Sequence, residues 1–219
     1  MRTVLSLNEG WLFAKPGAAQ ETVTLPHTWN AVDGQDGGGD YFRGMCRYSR
    51  TLKKEELPAG DRVYLEIPAA NSSADVYVNG VKLMHHDGGY SIFRTDITDA
   101  VAGKEESLLE IDVDNSANDY VYPQMADFTF YGGLYRGASL IGVSASHISL
   151  DDWGGPGVKV TPVISGKQAK VTVEAGLTNA KPGQTLRVTL LDAAGNAVDT
   201  VSVGADAPSA EASIADVPL

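Results

Sequence analysis

Twenty-eight carboxylates, four histidines and one cysteine are the groups in this 219-residue sequence most able to do chemistry. Two carboxylates about 5 to 10 Å apart form the acid/base or nucleophile pair of glycoside hydrolysis, so acidic neighbours come first. Asp151 and Asp152 are adjacent, and Asp112 and Asp114 alternate along a strand-like run. Both patterns read as solvated acidic surface, and no two carboxylates of the chain make a convincing acid/base pair. His85 and His86 are adjacent in an extended stretch, where neighbours point to opposite faces and cannot chelate one ion together. His27, in Leu25-Pro26-His27-Thr28-Trp29-Asn30, has no Ser or Cys nucleophile in a recognisable turn nearby, which suits a packed structural residue better than a general base. The glycine run at 34–40 (GQDGGGD) lacks both the Gly-Lys-Ser/Thr and the following helix of a phosphate cradle, and reads as a surface loop. Cys46, being alone, forms no internal disulfide, which permits a reducing compartment.

A different chemistry gathers in residues 114–133. Tyr120, Tyr122, Phe128, Phe130 and Tyr131 are interleaved there with Asn115, Asn118, Asp119, Gln124 and Asp127. Flat aromatic faces beside fixed amides and carboxylates suit a carbohydrate. The same residues would also serve as an aromatic staple fixing a long loop to a sheet, and composition leaves both readings open.

The elements that must position these groups repeat with period two. Val63, Leu65 and Ile67, then Val76 and Val78, then Leu109, Ile111 and Val113 each place apolar residues on one strand face. Tyr64, Glu66, Asp75, Tyr77, Glu110, Asp112 and Asp114 fall on the other, toward water or a partner. Asn79-Gly80 predicts a tight hairpin, Asp87-Gly88-Gly89 a looser one and Ala194-Gly195-Asn196 another. Only residues 53–57 and 98–101 could form a turn or two of helix. The predicted architecture is all-β, a sandwich or jelly roll. A boundary falls near residues 144–156. Beyond Trp153, the last aromatic residue, strands at 158–164, 169–177, 185–191 and 197–203 suit a small immunoglobulin-like sandwich, incomplete against the ~100 residues usual for one.

Charge narrows the partners. Seventeen basic residues against twenty-eight acidic ones give a net charge of −11, which disfavours nucleic acid and anionic membrane surfaces. No apolar run reaches the roughly 18 to 20 residues of a membrane span, and Asn8, Glu9 and Gly10 stand where a leader would need its apolar core. A cytoplasmic location is the expectation.

Residues 126–136, Ala-Asp-Phe-Thr-Phe-Tyr-Gly-Gly-Leu-Tyr-Arg, followed by the run 138–143, resemble the N-terminal region of glycoside hydrolase family 2, which contains bacterial β-galactosidases, β-glucuronidases and β-mannosidases. Supporting motifs follow in the family's order: Leu7-Asn8-Glu9-Gly10-Trp11-Leu12-Phe13, then residues 25–30, Tyr48-Ser49-Arg50, Val76-Tyr77-Val78-Asn79-Gly80, residues 88–93, Asp96-Ile97-Thr98 and residues 147–154. The resemblance implies a sugar-binding jelly roll over 1–144, then an immunoglobulin-like sandwich from 145 to 219. A catalytic (β/α)₈ barrel holding both catalytic glutamates is expected downstream, so this stretch should be inactive alone. It most resembles a β-galactosidase. Asp127 is implied as the residue that reaches the hydroxyls of the non-reducing-end sugar and, in some β-galactosidases, helps hold a sodium ion. A carboxylate suits both tasks, as a double acceptor and a hard oxygen ligand. Asp40, Tyr41 and Tyr131 are the further candidates for substrate contact, although the glycines at 37–39 do not reproduce the asparagine-containing pattern of the large β-galactosidases. Arg136 reads as structural. No cofactor is expected within the chain. The expected partners are a β-glycoside, the chain's own barrel and a second copy in a homo-oligomer. Two alternatives stand beside this reading, a self-standing carbohydrate-binding module and a structural assembly domain.

Overall fold

The structure is a computed structural model that describes residues 2–31, 33, 41–122 and 129–218. The chain divides into two compact units, Met1–Val143 and Ser144–Leu219. Among the described residues of the first, ten strands follow one another: β1 (Thr3–Ser6), β2 (Trp11–Ala14), β3 (Glu21–Val23), β4 (Met45–Lys53), β5 (Arg62–Ile67), β6 (Ser73–Val78), β7 (Val81–Asp87), β8 (Phe93–Asp96), β9 (Glu106–Asp114) and β10 (Ser139–Val143). They form two antiparallel sheets, a six-stranded one in the order β3-β2-β4-β9-β6-β7 and a four-stranded one in the order β1-β10-β5-β8. The expected helical turns are a 3₁₀ turn at Lys54–Glu56 and the short helix α1 at Thr98–Val101.

Period-two patterning explains the core. Trp11 and Phe13 of β2, Cys46 and Tyr48 of β4, Val76 and Val78 of β6 and Leu109, Ile111 and Val113 of β9 share a buried cluster with Leu65, Ile67 and Leu140 of the other sheet. Full burial of each large apolar side chain contributes about 1.5–3 kcal/mol. Asn79 (φ 52) and Gly80 (φ 78) make the two-residue hairpin turn between β6 and β7. The Asp87-Gly88-Gly89 turn is not a hairpin: β7 belongs to the six-stranded sheet and β8 to the other, so this turn carries the chain across the sandwich. Asp112 is also not part of a solvated surface. It is 7% exposed and gripped by Arg47 of the neighbouring strand, with Nε–Oδ1 2.6 Å and Nη2–Oδ2 2.7 Å.

The second unit holds β11 (His147–Ile148), β12 (Val158–Ser165), β13 (Gln168–Thr178), β14 (Thr185–Leu191), β15 (Ala197–Gly204) and β16 (Ser209–Pro218). β13 is the hub, pairing with β11, β12 and β16, while β14 and β15 form a hairpin. Its buried apolar residues are mostly small: Ala169, Ala175, Ala205, Ala210 and Ala212, with Leu150, Val173 and Ile214. Among the described residues, no helix is long and apolar enough to cross a membrane.

Candidate functional site

Four segments meet at one end of the first unit: residues 27–31 with Asp33, the approach to β4 at 41–44, Asn71 just before β6, and residues 129–136 leading to β10. Each is irregular, so its backbone polar groups need partners from side chains. Three buried asparagines supply them, Asn30 at 0%, Asn115 at 5% and Asn71 at 6% exposure. Asn30 Oδ1 accepts from the Gly132 amide at 2.8 Å and from Asn115 Nδ2 at 3.3 Å. Its Nδ2 donates to Asp33 Oδ1 at 2.9 Å and to the Phe42 carbonyl at 3.2 Å. Asn115 Nδ2 reaches the same Phe42 carbonyl at 3.2 Å, and its Oδ1 accepts from Gly44 N at 2.9 Å. Asn71 Nδ2 donates to the Tyr131 carbonyl at 3.0 Å, while the Asn71 and Gly133 backbones exchange two bonds at 3.1 and 3.2 Å.

Close packing beneath this knot leaves room only for glycine. A Cβ on Gly132 would run into the Trp29 ring, and one on Gly133 (φ +119) would stand 2.6 Å from the Tyr48 hydroxyl. His27 lies in the same layer, with Nδ1 2.8 Å from Tyr48 Oη, its ring 4.7 Å from that of Phe13, and its amide donating to the Leu134 carbonyl at 3.0 Å. Burial lowers the His27 pKa and raises that of Tyr48. A neutral imidazole packed among rings is a structural part.

The structure brings two of the four candidate residues to this rim. Tyr41 donates its hydroxyl to the Phe130 carbonyl and carries the Arg43 guanidinium 5.3 Å above its ring; burial raises its pKa. Tyr131 is 42% exposed and adjoins the Gly132 that Asn30 holds. Asp127 and Asp40, and with Asp127 the sodium ion that the resemblance attaches to it, lie outside the described residues. Arg136 holds the Tyr90 carbonyl at 3.2 Å and stacks on Tyr135. The aromatic segment divides: Phe130 is buried, whereas Tyr120 and Tyr122 are exposed. Sequence reasoning does not single out Asn71, because a lone loop asparagine carries no local pattern; Asn30 is visible only as the end of the 25–30 motif. The rim can present a tyrosine face and ordered backbone to a ligand, and among the described residues it contains no Ser or Cys nucleophile placed beside a base.

No family model matches the chain. In sequence it is 35% identical over 194 residues to a β-glucuronidase of Bacteroides fragilis, a match that covers 87% of this chain and 28% of that protein. It is 30% identical over 145 residues to a β-galactosidase of Thermoanaerobacter pseudethanolicus, covering 65% of this chain and 20% of that one. In structure, it matches an FMN-binding β-glucuronidase of Faecalibacterium prausnitzii with a TM-score of 0.90 and 44% identity, over 100% of this chain and 34% of the other. The chain therefore spans about a third or less of the length of these relatives. Sheet architecture and sequence together establish that the chain is homologous to the N-terminal domains of family 2 glycoside hydrolases.

Proposed function

We propose that the chain is the substrate-side part of a family 2 glycoside hydrolase that cleaves a β-glucuronide, with Asp127 and Tyr131 reaching the non-reducing-end sugar while catalysis resides on a barrel outside this chain. The observation that carries this reading is the match to the Faecalibacterium β-glucuronidase, at a higher identity than to the Thermoanaerobacter β-galactosidase. This moves the expected sugar from galactoside to glucuronide. The jelly roll's part is to orient: the asparagine knot fixes the backbone of residues 131–133, and a carboxylate can accept from two sugar hydroxyls at once.

The test is turnover of 4-nitrophenyl β-glucuronide against the β-galactoside by the parent protein. Preference for the glucuronide is expected, and Asp127→Asn should lower kcat/KM by the value of a lost hydrogen bond, about 1–3 kcal/mol. The 219-residue chain alone should turn over neither substrate. The second reading, a β-galactosidase, rests on the Thermoanaerobacter relative. It predicts the opposite preference and a KM that rises when sodium is replaced by choline, whereas the glucuronide reading predicts no sodium effect.

A further inference from the structure

On the outer face of the six-stranded sheet lies a groove of about 520 Å³. Two cross-strand rows make its floor. In one, Asp112 of β9, Asp75 of β6 and His85 of β7 stand abreast; in the other, Met45, Asp114, Ser73 and Asp87. Residues 116–120 form its wall. The rim described above lies on the other side of the same strand end: Asp114 faces the groove while the next residue, Asn115, is buried in the asparagine knot.

The floor is an array of compensated, fixed groups. Arg47 grips Asp112, and Lys82 Nζ lies 2.7 Å from Asp75. His85 stands between two carboxylates, with Nδ1 2.5 Å from Asp75 Oδ1 and Nε2 3.0 Å from Asp87 Oδ2. Both ring nitrogens face acceptors, so both bonds form only when both nitrogens carry protons, and these carboxylates raise the His85 pKa accordingly. Asp87 also accepts from Ser73 Oγ at 2.6 Å and Asn118 Nδ2 at 3.2 Å. A metal ion would have to displace Arg47, Lys82 and His85 from their partners. Among the described residues no group of three or more His, Cys, Asp or Glu is placed to hold one. The carboxylates Asp75, Asp87, Asp112, Asp114 and Asp119 still outnumber the three cations, which leaves a residual negative field that opposes an anionic ligand.

Beside these pre-aligned groups the wall presents the ring of Tyr120, 85% exposed, and the floor presents Met45, 51% exposed. A concave site with an apolar platform and a few fixed polar groups is the usual form of a small-ligand site. A sugar matches it: its C–H face covers an aromatic ring, and its hydroxyls donate to carboxylates. We propose that this groove binds a neutral oligosaccharide, with Tyr120 as the stacking platform and the carboxylates of Asp87, Asp114 and Asp119 as acceptors of its hydroxyl protons. The inference is independent of the hydrolase reading, and the charge of the groove separates its ligand from the uronide proposed for the rim.

Amide and imidazole resonances of the isotope-labelled 219-residue chain, titrated with cellotetraose, mannotetraose and galactotetraose, test it. At least one of the three should shift His85, Asn118 and Tyr120 saturably, while tetragalacturonate shifts none of them. Tyr120→Ala removes a solvent-exposed ring without disturbing the core, and should weaken binding about tenfold; Tyr131→Ala should leave it unchanged. The proposal is overturned if no neutral tetrasaccharide moves these resonances, or if the shifts gather at Tyr41 and Tyr131. It is equally overturned if tetragalacturonate or a lysine-rich peptide occupies the groove where neutral saccharides do not.

Discussion

A buried asparagine with every amide atom bonded is nearly neutral for stability, but deleting it strands several partners at once, and this asymmetry governs Asn30 and Asn115. Asn115→Ala would leave the Asn30 carbonyl, the Phe42 carbonyl and the Gly44 amide short of a partner. A loss of about 1–3 kcal/mol is expected, read as a lower urea midpoint with an unchanged slope. His85 behaves differently because its bonds depend on charge. Hydrogen bonding to Asp75, then to Asp87, raises its folded pKa above the ordinary 6.5, so its stabilisation is complete below about that value and is lost as pH rises through the raised pKa. For Asp75 and Asp87, burial alone would raise the pKa, but hydrogen bonds from Lys82 and His85 to the first, and from Ser73, His85 and Asn118 to the second, outweigh it. Both are held below 3.8, and their contribution disappears as pH falls through the lowered values. The His85 ring protons should therefore titrate above pH 6.5, and His85→Gln should flatten the decline in stability on the alkaline side. A titration midpoint at or below 6.5 would refute the bridge. Cys46 is buried at 1% exposure, and burial pushes its thiol up to about 12. Iodoacetamide should modify it only under unfolding conditions.

Among elements, the hairpin of β6 and β7 and the segment at 129–136 each depend on a residue that local pattern only half explains. Asn79 supplies the left-handed turn and also ties the hairpin down, since its Nδ2 donates to the Ala100 carbonyl at 3.0 Å and its Oδ1 accepts from Leu108 N at 2.9 Å. Asn79→Ala loses both bonds and strains a φ of 52, so the loss should exceed that of Asn79→Gly, which keeps the turn; paired denaturation curves measure the difference. Gly132 is required by space rather than by φ. Gly132→Ala would drive a methyl into Trp29, and should cost about 1–3 kcal/mol and broaden the resonances of residues 129–134.

For the molecule as a whole, stability should be unequal between the two units. The first has a continuous core of large apolar residues, whereas the buried set of the second is mostly alanine. Hydrogen exchange under native conditions should show β4, β6 and β9 protected to the global limit, and β12, β14 and β15 exchanging through cheaper local openings. Equal protection in both would refute the argument. The sequence by itself determined the strands, their buried faces, the Asn79-Gly80 turn and, through ordered motifs, kinship with family 2. All of these are written in residues a few positions apart, because pleat alternation and turn φ are local properties. Only the tertiary structure decided that the 87–89 turn crosses between sheets, that Asp112 is buried against Arg47, and that Asn30 and Gly132 meet. It also gathered the row of Asp112, Asp75 and His85 into one groove floor. The Arg47 and Asp112 partners are 65 positions apart and the Asn30 and Gly132 partners 102. Such contacts depend on which strands become neighbours and in which register, and no local period encodes that choice.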